Sequence, residues 1–349
     1  MRLAKACRTL FFCIVYGRVA SIHRITFCHD FISMMYLFCL VLSITLVQSL
    51  AATPLRVVTT VAPLTDMAKQ VGGEAIELHG LVPEGVNSHT FHPTPGDVRY
   101  LAEADVVILN GLHLEIPIEK LARSSGKPNV AILKLGDNTI SRDNWVFDAS
   151  FPEAYGHPNP HLWLNVAHAI RYVTLMRDQL THLDPTQAAT YAKNTERYVR
   201  HLTRLDQCIT AAVATIPASR RKLLTYHDSW PYFARRYGMT VLGAVQPANF
   251  SEPSAREVAR LIDQIRQSQV PAVFGSEVFP SRVLEKIAAE TGVQYVDALR
   301  DDDLPATPGD AKHSYMGMML VNVTTMLQAL GGDAALFETC TTTLLETKE

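Results

Sequence analysis

A handful of histidines and one aspartate carry most of the chemistry this sequence could do. His89 and His92 stand in NSHTFHPTPGD, His157 and His161 in HPNPHLWLN, His227 in LLTYHDSW and Asp297 in YVDALRDDD. Each group follows, or sits at the end of, a short run rich in Val, Ile and Leu. Neutral imidazole and carboxylate are ligands for first-row transition metals, and three imidazoles with one carboxylate fill a tetrahedron. Spacing alone leaves the choice open. No short motif such as H-E-x-x-H joins the candidates. The chain holds 13 His, so a surface or internally satisfied histidine is the ordinary alternative for each.

For such dispersed residues to meet, the runs that carry them must lie side by side. Residues 55–61, 75–82, 105–111 and 129–136 read as strands, and the segments between them, LTDMAKQVG, PGDVRYLAEA and EIPIEKLARSS, have the apolar spacing of helices. Strands that alternate with helices form parallel sheets, because parallel neighbours need a crossover. A second set follows, with strands at 222–227, 240–245, 272–277 and 293–299 and helices between them. Ser254 and Glu257 have the spacing of a capping box. A helix from His313 to Leu330 is expected to close the set. Open parallel sheets take ligands at the carboxyl edge of their strands, which is where the candidates fall.

Between the two sets, Asn165–Leu183 reads as one helix, and Asp184-Pro185-Thr186-Gln187 has the pattern of a new helix start. No Gly or Pro then interrupts the chain to Val213, which gives a rod on the order of 43 Å. The expected fold is therefore α/β. Two lobes (52–184 and 215–349), each a parallel sheet flanked by helices, are joined by a single long backbone helix over 185–214.

Composition narrows the partners. A net charge of -2 lacks the basic face that phosphate neutralisation requires, so nucleic acid is excluded as the main partner. Residues 1–51 carry Arg2, Lys5, Arg8, Arg18 and Arg24 against the single acid Asp30, then an apolar stretch from Met34 to Leu50 that ends in small residues. That is the pattern of a secretory signal peptide, with maturation near Ala52, and a membrane anchor is the alternative. Translation could also begin at Met34 or Met35. Cys39 lacks the small residues that precede a lipoprotein cleavage site, so a soluble, unlipidated product is expected. Cys208 and Cys340 remain as either a disulfide or two buried thiols.

Several ordered segments then resemble the periplasmic solute-binding proteins of zinc and manganese ABC importers, over about Leu55 to Leu330. That family's D-P-H-x-[YF]-x-P-[ST]-x-x-D pattern is similar to the stretch from Asn87 to Asp97, which puts the first ligand on His89 and leaves His92 at a variable position. Its [DN]-P-H-x-W-L pattern is similar to Asn159-Pro160-His161-Leu162-Trp163-Leu164 and puts the second ligand on His161. Tyr226-His227-Asp228, with the aromatic stretch Tyr232–Gly238 after it, supplies the third at His227, and the fourth falls on Asp297. Gly309-Asp310, Ser314-Tyr315 and Met318-Met319 resemble the family's C-terminal segment.

The resemblance implies one divalent transition-metal ion as cargo, held between the lobes by His89, His161, His227 and Asp297. It also implies a periplasmic monomer that delivers the ion to a membrane permease with its ATPase. Zinc suits three imidazoles and one carboxylate, with manganese (or iron) as the alternative. This sequence departs from the family in two places. Ser88 replaces the usual proline, and the His-rich loop of many zinc-specific members is reduced here to His157. The rival from another class is a metallohydrolase with Glu277 as its base. Four protein ligands would close the open position that such an enzyme needs, so no enzymatic activity is expected.

Overall fold

In the computed structural model, β1 (Leu55–Thr59), β2 (Ile76–Gly80), β3 (Val106–Leu109) and β4 (Ala131–Lys134) pair in the order β2-β1-β3-β4, all parallel. The structure describes residues 53–344 apart from 126, 247–250 and 279–281. The signal-peptide reading of residues 1–51 therefore lies outside the described residues. A second sheet repeats the same plan. Its strands β5 (Lys222–Thr225), β6 (Thr240–Ala244), β7 (Ala272–Ser276) and β8 (Gln294–Leu299) are ordered β6-β5-β7-β8 and are again parallel.

The crossovers are the expected helices: α1 (Ala62–Gly72), α2 (Pro95–Glu103) and α3 (Ile116–Ser125) in the first half. In each, one apolar face packs on the sheet, as Leu64, Met67, Ala68 and Val71 do in α1. Thr94 caps α2, accepting the Asp97 amide while the Asp97 carboxylate returns to the Thr94 amide. After α4 (Val166–Leu183), Asp184 caps a short turn, and α5 (Ala188–Thr215) runs for 28 residues. Its buried face, Tyr191, Tyr198, Leu202, Leu205, Ile209 and Val213, keeps helical spacing for about 33 Å.

The second sheet carries α6 (Pro231–Tyr237), α7 (Ala255–Ser268) and α8 (Arg282–Thr291), with the expected Ser254–Glu257 capping box at the start of α7. The helix α9 (Tyr315–Leu330) does not end the chain's structure, as the sequence reading had it. Past Gly331, whose φ of 78° ends α9 in a left-handed cap, Asp333 caps a further helix, α10 (Ala334–Thr341). That helix buries only Phe337 and Thr341, too short a stripe to register as periodicity. It lies against α5, and a disulfide joins Cys208 of α5 to Cys340 of α10, with Cα atoms 5.8 Å apart.

The described residues from Pro54 onward form one compact unit, and one apolar core runs from Val57 and Val107 of the first sheet through α4 and α5 to Phe274 and α9. A smaller core, including Leu224, Val273, Leu261 and Ile287, fills the space between the second sheet, α7 and α8. Among the described residues no helix is long and apolar enough to cross a membrane. The result is two sheets whose carboxyl edges supply the loops described next.

Candidate metal centre

Three imidazoles meet where loops from both sheets converge. His89 lies in the loop after β2, His161 at the end of the long loop after β4, and His227 two residues past β5. Two of these loops use the same local device. Asn87 accepts the His89 amide on its side-chain oxygen, and Asn159 does the same for His161, so each ligand is presented by an Asx turn. Asn159 also donates to the Asp228 carbonyl at 2.5 Å, which ties the His161 loop to the residue after His227.

The three Nε2 atoms converge. His161 Nε2 is 3.3 Å from His89 Nε2 and 3.1 Å from His227 Nε2, and one ligand atom from each lies within 4.8 Å of the others. Two nitrogens about 2.05 Å from a tetrahedral zinc lie about 3.3 Å apart, so the spacing is that of a ligand set. The opposite ring nitrogens are committed. Nδ1 of His161 faces the Asn159 side-chain oxygen at 2.8 Å, and Nδ1 of His227 faces the Gln246 side-chain oxygen at 2.7 Å. An amide oxygen only accepts, so both Nδ1 atoms carry the proton and both Nε2 lone pairs point inward. Burial pushes His89 and His161 well below the usual imidazole range, and the charge of His227 adds to it. Burial lowers His227 to about 4, opposed by its bond to Gln246. All three are neutral at neutral pH, the state that binds metal.

Acids crowd the fourth side. Asp301 Oδ2 lies 3.7 Å from His227 Nε2. Its loop is gathered by one oxygen, because Glu277 Oε1 accepts the backbone amides of Asp301, Asp302 and Asp303 at 2.8, 3.1 and 3.2 Å. From that loop Asp302 accepts the Ser88 hydroxyl and Asp303 the Gly85 amide, each at 2.6 Å, so the acidic run is stitched to the loop that carries His89. Trp163 donates its indole N–H to the Asp301 carbonyl at 2.8 Å. Burial, with the neighbouring Asp302 charge, pushes Asp301 up to about 8. Burial also raises Asp302 to about 7. Burial thus favours the protonated acids, and a divalent cation beside the three neutral imidazoles would favour the ionised ones.

Among the residues singled out in the sequence, His89, His161 and His227 come together. His92 and His157 are exposed and stand outside the trio. Asp297 stands in β8, and its side chain lies outside the described residues. The sequence reading passed over Asp301, although the three consecutive acids after a strand end were visible. It also passed over Gln246, for which no local signal exists.

Gln246 provides a first test of the arrangement. Gln246→Ala removes the acceptor that fixes the His227 tautomer, and metal affinity is expected to fall about 10–100-fold. Competition against a chromophoric chelator measures this, and an affinity within about twofold of wild type would show that Gln246 does not orient the ring.

The family model described as "ZnuA: Zinc-uptake complex component A periplasmic" matches residues 57–329. The manganese-binding lipoprotein MntA of Halalkalibacterium halodurans is 27% identical over 276 residues, covering 79% of this chain and 88% of the relative. The iron-binding protein YfeA of Yersinia pestis is 27% identical over 281 residues, covering 80% and 88%. Among solved structures, the periplasmic zinc-binding protein TroA from Treponema pallidum superposes with a TM-score of 0.71 at 29% identity, covering 80% of this chain and 99% of that one. A match across residues 57–329, which hold nearly all of both sheets and the histidine trio, means that this chain belongs to the ZnuA family.

Proposed function

We propose that the protein is the substrate-binding component of an ABC importer. It captures one divalent transition-metal ion with His89, His161, His227 and Asp301 and delivers it to a membrane permease coupled to an ATPase. The convergence of three Nε2 atoms at 3.1 and 3.3 Å, with two of the rings locked in the ligating tautomer, carries this reading. The relatives' names include manganese, iron and zinc, so family membership leaves the cargo open. The ligand chemistry favours zinc, since three imidazoles are softer than the carboxylate-rich sets that suit manganese. The basic and apolar pattern of residues 1–51 supports export to the periplasm. Capture rather than catalysis follows from four protein ligands, which leave no open position for a nucleophilic water. Glu277, the base named for the rival reading, is occupied in holding three amides.

The fourth ligand separates two versions of the site. With Asp301 coordinating, Asp301→Asn lowers zinc affinity by about 10²-fold or more, while Asp297→Asn stays within about threefold of wild type. Equilibrium dialysis with elemental analysis of the bound metal measures both, and the reverse ranking would move the ligand to Asp297. No zinc retained by wild-type protein after dialysis against a weak chelator would end the reading altogether.

A further inference from the structure

Glu115 stands at the head of α3 and is only 4% exposed. Its carboxylate accepts the Thr60 hydroxyl at 2.7 Å and the Asn110 and Gly111 amides at 2.7 and 3.0 Å, and none of these donors is a cation. Burial pushes it up to about 7, against the pull of the three donors. A carboxyl held higher in the folded chain than in the unfolded one subtracts from stability as pH rises toward neutrality. Stability alone therefore gives no reason for a charge there.

What the carboxylate holds is a strained turn with Asn110 at its head. Gly111, Leu112 and His113 have φ values of 81°, 50° and 70°, three successive residues in the left-handed region, two of which are not glycine. Such backbone persists only where its surroundings over-determine it. The Asp137 carboxylate accepts the Leu112 amide at 2.8 Å and lies so close to Gly111 that a Cβ there would meet it at 2.1 Å. Asn110 is fully buried, and each of its polar atoms is engaged. Its amide goes to Glu115, its carbonyl accepts the Gly136 amide at 2.7 Å, and its side-chain oxygen accepts the Tyr172 hydroxyl of α4 at 2.6 Å. Its side-chain nitrogen donates to the Gly111 carbonyl at 3.2 Å and crosses to the Pro160 carbonyl at 3.0 Å.

That last bond reaches a ligand. The peptide plane from Pro160 to His161 is fixed at both ends, its carbonyl by Asn110 and its N–H by the Asn159 side-chain oxygen at 3.1 Å. A rotation of that plane by about 10° swings a ring nitrogen by roughly 0.8 Å, beyond the ~0.5 Å that a preorganised ligand set tolerates. We infer that Glu115 is a positioning residue for metal capture, which acts through Asn110 to fix the peptide plane that aims His161 at the ion. The inference rests on the capture reading for its ion. A carboxylate suits the task because all three of its partners donate, whereas a glutamine there would turn an N–H₂ group toward one of them.

The zinc dissociation constant is measured by chelator competition for the mature protein, for Glu115→Gln, Asn110→Ala and their double variant, and for Leu101→Ala. Leu101 is a buried residue of α2 outside this network, so its variant reports what lost stability alone does to affinity. Asn110→Ala should weaken zinc binding about 10–100-fold and Glu115→Gln about tenfold. The double variant should stay within about threefold of Asn110→Ala, because residues that act in series do not add. Leu101→Ala should lower Tm and keep the wild-type affinity. Thr60→Val and Tyr172→Phe each delete one hydroxyl donor of the network, and they replace Glu115→Gln and Asn110→Ala if either fails to fold, with an expected loss of about threefold. Wild-type affinity in Glu115→Gln, losses that multiply in the double variant, or an equal loss in Leu101→Ala at a matching fall in Tm overturns the inference and leaves the capture reading standing. A wild type that holds no zinc overturns both.

Discussion

Replacing His227 with Ala is expected to cost the protein about 10²–10³-fold in zinc affinity. A four-ligand zinc site of about 10–16 kcal/mol gives about 2.5–4 kcal/mol per ligand when divided evenly, and each 1.4 kcal/mol is tenfold. His227 is 2% exposed and its Nδ1 proton is committed to Gln246, so no water-filled space or alternative tautomer softens the loss. Its neighbour Asp301, 3.7 Å away, would face a cavity in place of a ligand. The measurement is competition with a chelator of known affinity. His227→Glu is the more informative companion, because it keeps four ligands and exchanges imidazole for a hard oxygen donor. The ratio of the manganese and zinc dissociation constants should move toward manganese, even though zinc stays the tighter ion by the general affinity order. An unchanged ratio, with affinity intact in His227→Ala, would remove His227 from the ligand set.

The second large effect is on stability. Cys208 and Cys340 are separated by 132 positions. Opening a loop of that length releases about 5 kcal/mol of unfolded-state entropy in the chain-entropy treatment. For a folded chain of this size, unfolding entropy near the midpoint converts that to a fall of about 8 °C in Tm. Cys340→Ser is expected to show it by scanning calorimetry of the metal-free protein. The bond also fastens α10, which buries little else, so wild type under reducing conditions should behave as the variant does. A midpoint that moves by less than about 2 °C would mean that the unfolded chain is already restrained without the crosslink.

Much of this was open to reading in the sequence because it is local. The eight strands, the helix without Gly or Pro and the Ser254–Glu257 capping box are all set by periodicity and by neighbours a few residues away. The three histidines were legible for a related reason: each lies in a recognisable segment after a strand, although only His227 sits close to the strand end itself. What escaped is set by distant partners. Asp301 reaches His227 because Glu277, 24 positions earlier, gathers three successive amides and fixes the loop, and no local pattern reports that. The left-handed turn at Gly111–His113 depends on Asp137 and on Pro160 in another loop. The cysteine pairing was undecided until α5 and α10 brought the two Cα atoms to 5.8 Å.

That crosslink also has a meaning in time. Everything between Cys208 and Cys340, including the whole second sheet and His227, is synthesised before Cys340. A polypeptide that emerges amino end first cannot close the bond until the second sheet has been made. A molecule stalled before α10 would keep Cys208 as a thiol open to alkylation, whereas with α10 in place the sulfur is bonded and the residue is 1% exposed. The bond therefore records that synthesis has passed the second sheet, readable in a single labelling step.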